Sequence, residues 1–103
     1  QGRFAIGVDR DQSVTKSSFA DVILASMVKR VDTAVYDSIS SIVNGEFQGG
    51  DVVTLGLEAN GVAAVYGSQL ESEIPQEIKD SVAASRESII AGDVSVPTDP
   101  SNA

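Results

Sequence analysis

The sequence predicts an α/β fold, a mainly parallel sheet flanked by helices with an edge hairpin, and three observations carry the prediction. Phe4-Ala5-Ile6-Gly7-Val8 is an uncharged run that ends abruptly in Asp9-Arg10-Asp11-Gln12. Apolar residues recur at three- and four-residue steps over residues 27–44 and again from Ile74 to Ile90. Asn60-Gly61, a tight-turn signal, separates two runs rich in β-branched residues. A chain of 103 residues holds one small domain with a single hydrophobic core.

The first run reads as a buried strand, because a parallel sheet covered on both faces takes unbroken apolar strands. It delivers Asp9 to the strand's carboxyl end, the edge beyond which open α/β sheets bind their ligands. The same acid also fits the plainer role of opening a polar loop or capping a turn. Residues 10–20, rich in Ser, Thr and Asp, read as a loop. Val22-Ile23-Leu24-Ala25 is then a second short strand ending at Ser26, whose hydroxyl suits a helix N-cap.

From Met27 to Asn44 the stripe Val28, Val31, Val35, Ile39 and Ile42 predicts one amphipathic helix. Asn44-Gly45 should end it, since glycine accepts the left-handed conformation that closes helices. Asp51–Leu57 is the expected third strand, turned at Glu58-Ala59-Asn60-Gly61 into an antiparallel edge strand, Val62–Tyr66. Pro75 suits the first turn of a second helix carrying Ile74, Ile78, Val82 and Ile89, which Ala91-Gly92 should close. Val94-Ser95-Val96 could add one more short strand, and the tail 97–103 is expected to fray.

Composition narrows the chemistry. Fifteen acidic residues against seven basic ones leave a net charge of -8, which excludes a nucleic-acid backbone as a good partner, because phosphate binding needs clustered cations. With neither cysteine nor histidine, the chain has no thiol nucleophile, thiolate metal site or imidazole base. No metal and no cofactor are expected. No stretch reaches the roughly 18 apolar residues of a membrane span, and Gln1 reads as a cut into a longer polypeptide.

The segments IGVDRDQ (6–12), ILASMVKRVDTAVYDSI (23–39), NGEFQGGDVVTLGLEANGVA (44–63) and IPQEIKDSVAASRESIIAGDVSVP (74–97) together resemble the C-terminal part of the basic membrane protein family. That family comprises substrate-binding lipoproteins of ABC transporters, purine nucleoside receptors among them. The resemblance spans nearly the whole chain and implies the C-terminal portion of a type I periplasmic-binding-protein fold, two α/β lobes that close on a ligand. It implies a hinge crossing near residues 25–29 and a helix to Asn44 that packs on the other lobe. It further implies ABC permease subunits as partners and an extracytoplasmic site, at the cell surface or in the periplasm, with the lipid anchor on a preceding segment. A helix with so wide an apolar stripe should not stay bare, at about 1.5–3 kcal/mol per fully buried large side chain. The chain is therefore expected to self-associate or to pair with the remainder.

Two ligand contacts follow from the resemblance. Asp9 matches the family aspartate that clamps the ribose hydroxyls, and a carboxylate can accept two hydrogen bonds from a vicinal diol. Lys29 matches the family lysine in the cleft. With Ser26 as N-cap it would fall in the first helical turn, where the macrodipole disfavours a cation, so a lysine there is either indifferent or purposeful. Read without the family, it is an ordinary solvated lysine, since exposed lysines are the rule. Asp11, Gln12 and Ser26 are expected to shape the loop or line the cleft, Asp11 and Gln12 touching the ligand through water if at all, and Arg30 and Asp32 to make surface or inter-lobe ion pairs. No aromatic residue near Asp9 is placed to stack on a base.

A receptor without a covalent step is the favoured reading, and the chain is not expected to be an enzyme. The alternative is a nucleotide- or magnesium-binding flavodoxin-like enzyme using Asp9 and Asp11, with Lys29 neutralising phosphate. Against it stand the missing GxxxxGK loop and the absence of a third acid, while Gly49-Gly50 precedes a strand signal rather than a helix.

Overall fold

The computed structural model describes residues 2–47, 49–99 and 101. The chain divides into two compact units, residues 1–73 and 74–103. The first holds a three-stranded sheet in the order β1 (Ala5–Asp9), β2 (Ile23–Lys29), β3 (Val62–Tyr66), with a one-turn helix α1 (Gln12–Thr15) and a longer helix α2 (Val31–Val43). The second holds α3 (Gln76–Ala91).

Strand β2 is central. It pairs in parallel with β1 and antiparallel with β3, so its backbone is satisfied on both edges. That double ladder explains the largest departure from expectation. The strand runs on through Ser26, Met27, Val28 and Lys29, and the helix begins at Val31 behind Arg30, not at Met27 behind Ser26. Met27, Val28 and Val31 sit at helical spacing, but over so short an apolar run the helical and strand periods cannot be told apart. Arg30 then turns the chain, its N–H donating to the Gly61 carbonyl at 2.8 Å.

Both long helices end as their glycines predict. Gly45 (φ +73°) donates to the Ile42 carbonyl and Glu46 to that of Ser41, while Gly92 (φ +83°) donates to Ile89 and Asp93 to Ser88. Each is a Schellman closure, in which a left-handed residue after the helix satisfies its last carbonyls. Pro75 stands just before α3 rather than inside its first turn.

Further expectations are corrected. Residues 10–20 are not plain loop but carry α1 and a 3-10 turn, Ser17–Phe19. Asp51–Leu57 is not a strand. The turn at Asn60 (φ +52°) forms, yet Val62–Tyr66 pairs with β2 instead of folding back as a hairpin on 51–57. Val52 and Val53 are left exposed at 94% and 75%. Val94–Val96 likewise forms no strand. Of the tail expected to fray, Pro100, Asn102 and Ala103 lie outside the described residues.

Burial also departs from the sequence reading. Strand β1 forms where predicted, but Gly7 alone in it is buried, with Ile6 and Val8 exposed on the other face. The sheet is mixed, and the buried apolar residues among those described are Ala20, Ile23 and Leu70. The α2 stripe stands in water at Val31, Val35, Ile39 and Ile42. No described helix is long and apolar enough to cross a membrane.

Candidate functional site

Because β1 and β2 are parallel, with Val8 opposite Met27 and Asp9 opposite Val28, their carboxyl ends share one rim. Each strand delivers its last charged residue there, and Lys29 Nζ lies 2.9 Å from Asp9 Oδ1. The side chains are 66% and 65% exposed, so water screens the pair and it adds at most about 1 kcal/mol to the fold. What it provides is an anchored carboxylate facing solvent, with the second oxygen free to accept. Lys29 is a strand-end residue, so the helix-dipole argument built on a first-turn position does not apply to it.

Asp9 adopts φ +71°, and the Arg10 N–H reaches back to the Val8 carbonyl at 2.9 Å. This is a γ-turn of positive φ, rare and strained for a residue with a Cβ. Such a conformation persists only where the surroundings over-determine it, and here they do. The Gln12 amide Nε2 donates to the same Val8 carbonyl at 3.2 Å, and the Gln12 backbone N–H donates to Ser26 Oγ at 3.1 Å.

Asp11 is the N-cap of α1. Its Oδ1 accepts from the Ser13 N–H at 3.0 Å and from the Ser13 hydroxyl at 2.6 Å, and that hydroxyl accepts from the Ser68 N–H at 2.9 Å. Asp11 is thereby engaged in capping. Ser13 and Ser26 are each only 1% exposed. Ser26 is therefore a buried mid-strand anchor and not a helix cap, which corrects the expectation placed on it. A side chain at Gly7 would meet Ser26 Oγ at 2.5 Å and Gln12 Cβ at 2.9 Å, so the close approach of β1 to this loop requires glycine.

The structure thus brings Asp9, Asp11, Gln12, Ser26 and Lys29 into one loop-and-rim cluster. Ser13 and Ser68 complete it and were not singled out from sequence. Asp11-Gln12-Ser13 does carry a local capping signature, whereas Ser68 comes from beyond β3 with no local signal. Arg30 and Asp32 pair with each other: Nε lies 2.9 and 3.2 Å from the two Asp32 oxygens, and a terminal guanidinium nitrogen 2.8 Å from Oδ2. Hydrogen bonding from Arg30 holds the Asp32 carboxyl down to about 2. A groove of about 610 Å³, lined by none of the rim residues, runs along α2 and is lined among others by Ala34, Asp37, Phe47, Val53 and Leu55.

Comparison with known proteins places this arrangement. Residues 1–99 match the Bmp family model, described as ABC transporter substrate-binding protein PnrA-like. A CD4+ T-cell-stimulating antigen of Listeria monocytogenes is 35% identical, over 94% of this chain and 28% of that protein. The ABC transporter nucleoside-binding protein BmpA of Lactococcus lactis is 33% identical, over 92% and 27% respectively. Among solved structures, one titled as ABC transporter system solute-binding proteins from Aeropyrum pernix K1 superposes with a TM-score of 0.62 at 27% identity, covering 95% of this chain and 34% of that one. The chain spans little more than a quarter of the length of the curated relatives it matches. With the family model matched from end to end of the site and the fold shared with a solved solute-binding protein, this chain belongs to the Bmp family of PnrA-like ABC transporter substrate-binding proteins.

Proposed function

We propose that the chain supplies one wall of the ligand cleft in an extracytoplasmic solute receptor of an ABC importer, and that the ligand is a purine nucleoside held through its ribose by Asp9. The observation that carries this reading is the Asp9–Lys29 pair, solvent-facing at the carboxyl rim of two parallel strands and fixed from behind by buried hydroxyls. Lys29 occupies one oxygen of the carboxylate, and the remaining lone pairs accept the vicinal hydroxyls in charge-assisted hydrogen bonds. Neither residue performs a covalent step. Asp11 is committed to Ser13, which disfavours the magnesium-enzyme reading that needed both acids free.

In this reading the chain crosses between lobes near residues 25–29, and a ligand touching both lobes stabilises the closed form over the open one. The closed receptor is what permease subunits recognise, and a lipid on a preceding segment holds it at the membrane. The bare α2 stripe is covered by the remaining polypeptide, or by a second copy when that is missing.

The test is calorimetry on the complete two-lobed receptor with inosine, guanosine, adenosine, free ribose and hypoxanthine. Nucleosides should bind at least roughly 100-fold tighter than the free base, since two charge-assisted hydrogen bonds are lost with the sugar. A receptor that takes hypoxanthine as tightly as inosine contradicts the ribose grip.

A further inference from the structure

We propose that Ser26 is a positioning residue for the ligand contact Asp9, acting through Gln12; the inference rests on the reading of Asp9 as the ribose contact. The route is short. Ser26 Oγ, 1% exposed in the central strand, accepts the Gln12 N–H at 3.1 Å. That bond sets where the Gln12 side chain starts, and its amide reaches the Val8 carbonyl at 3.2 Å. The same carbonyl accepts the Arg10 N–H that closes the γ-turn around Asp9. Two donors on one oxygen hold a positive-φ turn that an aspartate would otherwise leave, because left-handed backbone is unfavourable for residues with a Cβ.

Around this route the geometry is tight. Gly7 leaves just enough room for the Ser26 hydroxyl, and Ser13 ties the far side of the same loop to the Ser68 N–H at 2.9 Å. The Ser26 and Ser13 hydroxyls at the base of the route are buried, while the Gln12 link to Val8 and the Asp9 carboxylate, 65% exposed, stand toward solvent. Rigidity is thus built beneath the contact and solvent access is kept above it, the arrangement a preformed hydrogen-bond acceptor needs.

The test uses the complete two-lobed receptor with Ser26→Ala, Gln12→Met and Asp9→Ala, titrated with inosine and with 2′,3′-dideoxyinosine. Losing one net hydrogen bond in the support should lower inosine affinity about 5- to 10-fold in both Ser26→Ala and Gln12→Met. Affinity for dideoxyinosine, which has no diol for Asp9 to hold, should not change. Equal losses for both ligands would reduce Ser26 to a structural role and overturn the proposal. Unchanged inosine binding in Ser26→Ala and Gln12→Met, with Asp9→Ala still defective, would overturn it while leaving the ribose contact standing. Unchanged inosine binding in Asp9→Ala would refute the underlying reading itself. Gln12→Met, altering a partly exposed side chain, keeps the test open should Ser26→Ala fold poorly.

Discussion

Lys29 Nζ and Asp9 Oδ1 meet at 2.9 Å across the ends of two parallel strands, with both side chains about two thirds exposed. A pair so open to water contributes little to folding, so its value lies in what it presents. Lys29→Met should therefore leave the unfolding free energy within about 1 kcal/mol of the original while weakening nucleoside binding roughly tenfold. Thermal melts and calorimetry on the same samples check both halves.

Glycine positions with no room for a side chain give a second expectation. A Cβ on Gly67 would run into the Ile23 carbonyl oxygen, and one on Gly61 into that of Leu55. Those are backbone atoms held by their neighbours, whereas the Gly7 contacts are with the side chains of Ser26 and Gln12. Gly67→Ala should cost about 1–3 kcal/mol or more in urea unfolding, and Gly7→Ala less. Gly7→Ala should instead mimic Ser26→Ala in ligand binding, because it displaces the same hydroxyl.

Acid titration should single out Asp32. Its carboxyl is held at about 2 against an ordinary 3.8, first by hydrogen bonding from Arg30. A folded-state pKa below the unfolded one contributes stability that is present above pH 3.8 and is lost as pH falls toward 2. Asp32→Asn should remove that part of the acid dependence, and a carbon-detected titration of the Asp32 carboxyl should give a midpoint near 2 in the parent and a clearly higher one in Arg30→Ala.

The α2 stripe predicts association. Val35, Ile39 and Ile42 are 52%, 56% and 59% exposed, and covering what remains open on each is worth about 1 kcal/mol. Light scattering of the 103-residue chain should give a mass above the monomer, and Ile39→Lys should return it to one. A parent chain that stays monomeric at high concentration contradicts the need for a covering surface.

How much of this was legible in the sequence follows the range of each interaction. Strand β1, the glycine closures of α2 and α3 and the strand Val62–Tyr66 are announced by local patterns, and they form. The route of β2 through Ser26 to Lys29 is decided by partners on both edges, one of them β3, so the local spacing of Met27, Val28 and Val31 misled. Asp51–Leu57 shows the converse: β-branched residues make a segment willing to be a strand, but only a neighbouring edge makes it one. In the site, the apolar run ending in an acid already marks Asp9 as a strand-end ligand contact, whereas its ribose role and the choice of Lys29 come from the family resemblance. Ser68 was invisible because its N–H meets Ser13 through the fold.

The central claim is that the Asp9 carboxylate grips a ribose. It is tested most directly by the inosine affinity of the two-lobed receptor with and without Asp9→Ala. The account predicts a fall of about 100-fold or more, from the loss of charge-assisted hydrogen bonds, with an unfolding midpoint that does not move. Inosine affinity equal to that of the parent protein, in a variant that folds normally, would contradict it.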